Sequence, residues 1–188
     1  MAALTITKTM NPMNICISPL QTANGQMQTG RTFAVSFSHA NLALVASNQY
    51  AFGIEDMDGN YVDTLYVTRY TAQEGHRCRL NSIPQWVSAS GRADMRNSEL
   101  NAISGATPKP GDYLVCWDFT DNKGNLVADT QYRFFIEASV MNDDTANYSG
   151  VITIGDKAWE EYLALEYSNP NSEYNSMLTN VRVVYNPN

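Results

Sequence analysis

The chain is 188 residues long and carries a formal charge of −7; 44% of its residues are hydrophobic and 16% are charged. That length buries a core without metal or disulfide staples, and the balance excludes a charge-rich disordered chain and a membrane-spanning one. A net negative surface repels phosphate backbones, so nucleic acid is not an expected partner.

One domain over residues 1–188 is the simplest division, with 1–30 as a loosely ordered N-terminal segment. Three cysteines, Cys16, Cys78 and Cys116, allow at most one disulfide, and all three pairings stay open. There is no CxxC pair and no HExxH spacing, so no metal site is expected. The first residues lack the apolar run of a secretory signal. The wealth of Asn, Thr, Ser and Tyr over Lys still points to a periplasmic or extracellular protein, any signal having been removed.

In chain order, the first strand is expected where Phe33, Val35 and Phe37 alternate with Thr32, Ala34 and Ser36, and His39 ends it. Residues 50–55 and 61–70 form a hairpin around the sequence DMDGN, with Gly59 taking the positive φ. A second hairpin of the same type is expected from Tyr113, Val115, Trp117 and Phe119, through a turn at Gly124, to residues 131–140. Between the two lies 71–111, a connection far longer than the few residues usual between strands. Within it Ser82 caps and Pro84 opens a short helix carrying Trp86, Val87 and Ala89, which Gly91 ends. The rest of the insertion reads as irregular. Further strands are expected at 150–155 and 178–185; 159–167 fits either a strand, which the alternation of Trp159, Glu161, Leu163, Leu165 and Tyr167 favours, or a short helix capped by Asp156. Seven or eight short strands with one insertion specify an all-β fold, an immunoglobulin-like antiparallel β-sandwich.

Charge is uneven along this plan. Arg69, Arg77, Arg79, Arg92, Arg96 and Lys109 are six of the 12 basic residues, giving 69–111 a net +3 and leaving about −10 on the remainder. The planar Arg fork suits phosphate and carboxylate, so an anion site is expected on the insertion. Cys78, between Arg77 and Arg79, is a candidate low-pKa thiol. The stretch NAISGATPKPGDY sets the small residues Gly105 and Ala106 between two hydroxyls, Ser104 and Thr107. Pro108 holds Thr107 extended and Pro110 keeps the loop out of the sheet, which presents an exposed Thr hydroxyl. No His neighbours it in sequence, so independent catalysis is not expected.

Three stretches taken together, FGIEDMDGNYVDTLYVTRYTAQEG, LNSIPQWVSASG and NAISGATPKPGDYLVCWDFTDNKGNLV, resemble a family of predicted periplasmic proteins of unknown function, domain of unknown function 2271, over roughly residues 30–155. The resemblance implies an exported sandwich-like domain linked with extracytoplasmic flavin and electron transfer. The SGAT element also resembles the acceptor motif of FMN-binding domains, Asp-x-x-Ser/Thr-Gly-Ala-Thr, whose last Thr is esterified to FMN by a magnesium-dependent flavin transferase using FAD. On that resemblance Asn101, Ser104, Gly105, Ala106 and Thr107 are the motif positions and Thr107 carries the flavin. Asn101 departs from the motif's Asp. Arg92, Arg96 and Lys109 would meet the phosphate, and Trp86 or Tyr113 would stack on the ring. The implied function is a covalent FMN carrier, with a flavin transferase and a redox protein as partners. The rival expectation is a non-catalytic binding or structural module that contacts a protein or glycan through 71–111.

Overall fold

The computed structural model describes residues 31–40, 48–92, 95–140, 145–171 and 175–187. The expectation of a loose 1–30 segment, and Cys16 with it, lies outside the described residues. Among the described residues ten strands make two packed sheets: β1 (Thr32–His39), β2 (Gln49–Asp56), β3 (Tyr61–Thr68), β4 (Ser104–Gly105), β5 (Gly111–Trp117), β6 (Gln131–Ser139), β7 (Thr145–Thr153), β8 (Trp159–Tyr162), β9 (Glu166–Tyr167) and β10 (Leu178–Asn186). One sheet runs β5-β1-β10-β8 and the other β4-β3-β2-β6-β7-β9. This is the all-β sandwich expected from the alternation, but the single strand expected at 159–167 is two: β8 pairs with β10 in one sheet, residues 163–165 cross over, and β9 pairs with β7 in the other.

Alternation explains the inter-sheet core. Phe33, Val35 and Phe37 of β1, Tyr113, Val115 and Trp117 of β5, and Val181, Val183 and Tyr185 of β10 are buried facing Phe52, Ile54, Phe134 and Ile136. The first hairpin forms as read, with Gly59 at φ +84 and Asp56 Oδ1 accepting the N–H groups of Asp58 and Asn60 at 2.9 and 2.8 Å. The second hairpin does not form. Its turn is chemically the same, with Gly124 at φ +80 and Asp121 Oδ1 accepting from the Lys123 and Asn125 N–H groups, both at 2.9 Å. Yet β5 pairs with β1 and β6 pairs with β2 and β7, so the chain crosses from one sheet to the other. Four residues, 127–130, separate that turn from β6 and give the chain room to change layers.

The insertion packs on the outer face of the larger sheet. A π-helical turn (Thr71–Gly75) runs into α1 (His76–Cys78), followed by α2 (Pro84–Ala89) and α3 (Asn97–Ile103). Ile83, Trp86 and Leu100 from the insertion cover Ala51, Val67 and Phe135 in a second core. Covering this face buries β2 on both sides, from Gln49 to Glu55. At Gly53 an added Cβ would lie 2.3 Å from Phe135 Cζ, so the cross-strand ring requires glycine there.

Two local readings of the insertion are corrected. The α2 cap position is Ile83 and not Ser82; Ile83 sits at φ +49, a strained conformation for a β-branched residue that its complete burial holds in place. Ser82 is instead buried and bonded to Thr71 Oγ1 at 3.0 Å. The region read as irregular contains α3, whose start is secured by Glu99 accepting the Arg96 N–H at 2.7 Å.

Candidate functional site

The SGAT stretch lies where the two sheets meet at one end of the sandwich. Ser104 and Gly105 pair in parallel with Val67 and Thr68, so β4 joins the sheet that the sequence reading kept it out of. Gly105 is required by a close approach, because a Cβ there would lie 2.8 Å from Tyr66 Cε2. That proximity lets the Tyr66 hydroxyl donate to the Ala106 carbonyl at 2.5 Å.

The following residues are fastened by side chains from both layers. His39 Nε2 lies 3.1 Å from the Pro108 carbonyl, and the Tyr113 hydroxyl donates to the Lys109 carbonyl at 2.5 Å. Thr107 is half-buried rather than fully exposed, and its Oγ1 donates to the Asn48 carbonyl at 3.1 Å. Ser104 Oγ is buried and has no hydrogen-bond partner among the described residues. A loop with four such anchors is preorganised: the cost of ordering Thr107 is met in folding, before any ligand arrives.

The other expected site residues divide into two groups. Asn101 is exposed at the end of α3 and accepts from Gln73 Nε2 at 3.4 Å. Arg96 is exposed and paired with Glu99 at 2.7 Å. Arg92 and Trp86, however, lie inside the insertion. Arg92 is buried, donating to the Ala72 and Gln73 carbonyls, and Trp86 is fully buried with Nε1 on Thr64 Oγ1 at 2.8 Å. Their place in the fold is that of fasteners under the insertion.

Arg69 belongs to the basic cluster of 69–111 but lies outside the SGAT motif. It follows β3 directly, is exposed, and has no ion-pair partner among the described residues. Its charge reaches the loop: burial raises the Tyr66 phenol pKa, the neighbouring Tyr113 adds to this, and the Arg69 guanidinium opposes it. The signal that could have found it is the short distance in sequence from the strand that pairs with SGAT. Lys109 is likewise exposed on the loop itself.

A second polar region fastens the insertion. Gln49 Oε1 accepts from Thr68 Oγ1 at 2.6 Å and from Thr71 Oγ1 at 2.8 Å. Glu137, buried on β6, accepts the N–H groups of Gln85 and Trp86 at 3.0 and 2.9 Å. Burial pushes its carboxyl up to about 7 against those two bonds. Asp63 is also pushed up to about 7, by burial first and then by Asp118 and Asp121. No group of His, Cys, Asp or Glu among the described residues is arranged to hold a metal. Cys78 is an exposed free thiol, and Cys116 is half-buried on β5.

Among the described residues no helix is long and apolar enough to cross a membrane. Neither a curated protein nor a solved structure matches the chain. A family described as predicted periplasmic protein (DUF2271) matches residues 31–166, a span running from β1 to the start of β9 and holding the insertion and the SGAT loop. The exported location expected from composition agrees with that description, and the protein belongs to the DUF2271 family of predicted periplasmic proteins.

Proposed function

We propose that the protein is a covalent FMN carrier of the bacterial envelope, with Thr107 as the attachment point and a redox protein as its electron partner. The observation that carries this reading is the anchored SGAT loop, in which small residues flank a half-buried Thr hydroxyl beside two exposed cations, Arg69 and Lys109. The residues present fit the group. Ala106 adds little bulk beside the hydroxyl, and Arg69, whose charge is felt at the Tyr66 phenol bonded to Ala106, supplies a guanidinium fork near the loop.

Among the described residues the hydrogen-bond partner of the Thr107 hydroxyl is not a base. His39 bonds the Pro108 carbonyl, and Thr107 Oγ1 faces a carbonyl that cannot take its proton. Attachment therefore requires a flavin transferase: Thr107 Oγ1 bonds to the flavin-side phosphorus of FAD, the pyrophosphate P–O bond breaks, AMP leaves, and the transferase accepts the proton. When bound, the flavin supplies the one- and two-electron chemistry. The chain's own residues hold the attachment point and balance the phosphoester charge.

Co-expression with a flavin transferase should yield protein heavier by one FMN less water, fluorescent after denaturation, and Thr107→Ala should abolish both. Unmodified Thr107 in that experiment defeats the proposal. A second reading, a module that binds a protein or glycan through the insertion, is favoured by Tyr70, 47% exposed beside it, and by Leu80, 76% exposed within it. It predicts that Tyr70→Ser with Leu80→Ser abolishes capture of an envelope partner while flavin content stays nil.

A further inference from the structure

We infer that His39, Tyr50 and Asn48 form a directional hydrogen-bond ring that positions Thr107, with His39 and Tyr50 as positioning residues. The direction of every link follows from what each atom can do. The Pro108 carbonyl only accepts, so His39 Nε2, 3.1 Å away, must carry its hydrogen. A neutral ring then has a bare Nδ1 that only accepts, so the Tyr50 hydroxyl at 2.6 Å donates to it. The Tyr50 oxygen is left to accept, and Asn48 Nδ2 donates to it at 2.8 Å and to the Ala40 carbonyl at 3.0 Å. These two bonds fix the orientation of the Asn48 amide, since a flipped amide would set its oxygen against the Ala40 carbonyl. Finally, the backbone carbonyl of Asn48 accepts the Thr107 hydroxyl at 3.1 Å.

The ring closes because its two ends fall on adjacent residues, Thr107 and Pro108. His39, Asn48 and Tyr50 are 4%, 0% and 1% exposed, so water does not compete for these bonds. The ring also orients the nucleophile. With its O–H on the Asn48 carbonyl, Thr107 is held in one rotamer until the transferase takes the proton. On attachment the Thr107 link is lost, while Ala106, Pro108 and Lys109 stay held.

A ring with one direction is broken by one proton. Protonated His39 has no acceptor for Tyr50, and its Nδ1–H would turn to the Met177 carbonyl, 3.4 Å away on the segment leading into β10. The titratable side chains facing His39 are the phenols of Tyr50 and Tyr113; Tyr66 stands beyond them. Asp112 is bonded to Ser38, and Lys109 is exposed.

The flavin arm of the test rests on the carrier reading; the exchange arm does not. In the full chain, amide hydrogen exchange of residues 104–110 is followed from pH 8 to pH 5, corrected for intrinsic rates, in wild type and in the Tyr50→Phe, His39→Gln and Tyr113→Phe variants. Tyr50→Phe, which removes only a hydroxyl, should raise exchange of the loop by about five- to tenfold. Wild-type protection should fall on acidification, and His39→Gln, which keeps an N–H for Pro108 but cannot be protonated, should show no such fall. Tyr113→Phe, outside the ring, should keep the wild-type pH profile. With a flavin transferase and FAD, Tyr50→Phe should slow labelling of Thr107 by a similar factor. Wild-type protection in Tyr50→Phe, or the same pH profile in His39→Gln as in wild type, overturns the ring. A wild type that is never flavinylated while the exchange results hold overturns the carrier reading alone.

Discussion

The two cores of this protein are held in different ways. Between the sheets, rings fill space: Phe33 lies 5.6 Å from Phe134, Phe37 stacks 5.1 Å from Phe52, and Trp117 meets Tyr132 edge-on at 5.3 Å. Under the insertion a smaller apolar patch is fastened by directional bonds from Gln49, Glu137, Trp86 and Arg92. Volume is indifferent to protons and tolerant of small shifts, whereas a network of buried acceptors is neither. The insertion is therefore held in a proton-dependent way through Glu137, whereas the ring packing between the sheets is not.

The largest effect that would test this contrast comes from truncating a ring in each core. Phe33→Ala and Trp86→Ala should each cost about 3–5 kcal/mol. Phe33→Ala should lower the midpoint of the single global transition in denaturant. Trp86→Ala should first open residues 71–111 to limited proteolysis while the sheet signal in circular dichroism persists. A simultaneous loss of both signals in Trp86→Ala would show that the two cores are one cooperative unit.

Next comes Glu137. Its carboxyl is raised in the folded state, so the protonated form is favoured there. Its stabilising contribution is complete below the ordinary value of 4.5 and is lost as pH rises toward about 7. Asp63 changes stability in the same direction and His39 in the opposite one, since burial lowers the His39 pKa. The difference between wild type and Glu137→Gln isolates the first of these. Over pH 4.5–7 that difference should change by about 3 kcal/mol in chemical denaturation, with the variant the flatter of the two. A constant difference would mean that Glu137 is not a buried titrating group.

Smaller effects are expected at two glycines. Gly53→Ala drives a methyl into the Phe135 ring and should cost about 1–3 kcal/mol, loosening the second core. Gly59→Ala has open space around it and meets only the positive φ, so about 1 kcal/mol is expected. Equal costs at the two positions would show that the ring contact at Gly53 is easily relieved.

The strands β1, β5 and β10 were legible because their buried residues alternate with less buried ones, and the DMDGN hairpin was legible because Asp56 and Gly59 act locally. The sheet exchange after Gly124 was not, since the same turn chemistry at Asp121 says nothing about which strand will be the partner. The insertion's packing did leave a trace. The runs Tyr50–Ala51–Phe52 and Phe134–Phe135–Ile136 are apolar on both faces, which a strand open to water on one side does not need. α3 escaped notice because Arg96 is not an ordinary cap and only its bond to Glu99 secures the start. At the candidate site, Thr107 and its small neighbours could be read from the sequence. Arg69, Tyr66 and His39 could not be placed there, because strands remote in sequence bring them to the loop; Tyr113 was named there as a stacking ring, and its bond to the Lys109 carbonyl was not foreseen.

The SGAT loop draws its anchors from both layers, Tyr66 from one sheet and His39 and Tyr113 from the other. Anything carried on Thr107 consequently tumbles with the entire domain and has no swinging arm of its own. On the carrier reading, a redox partner would approach this end of the sandwich, and the body of the protein, rather than a tether, would set the angle at which the two meet.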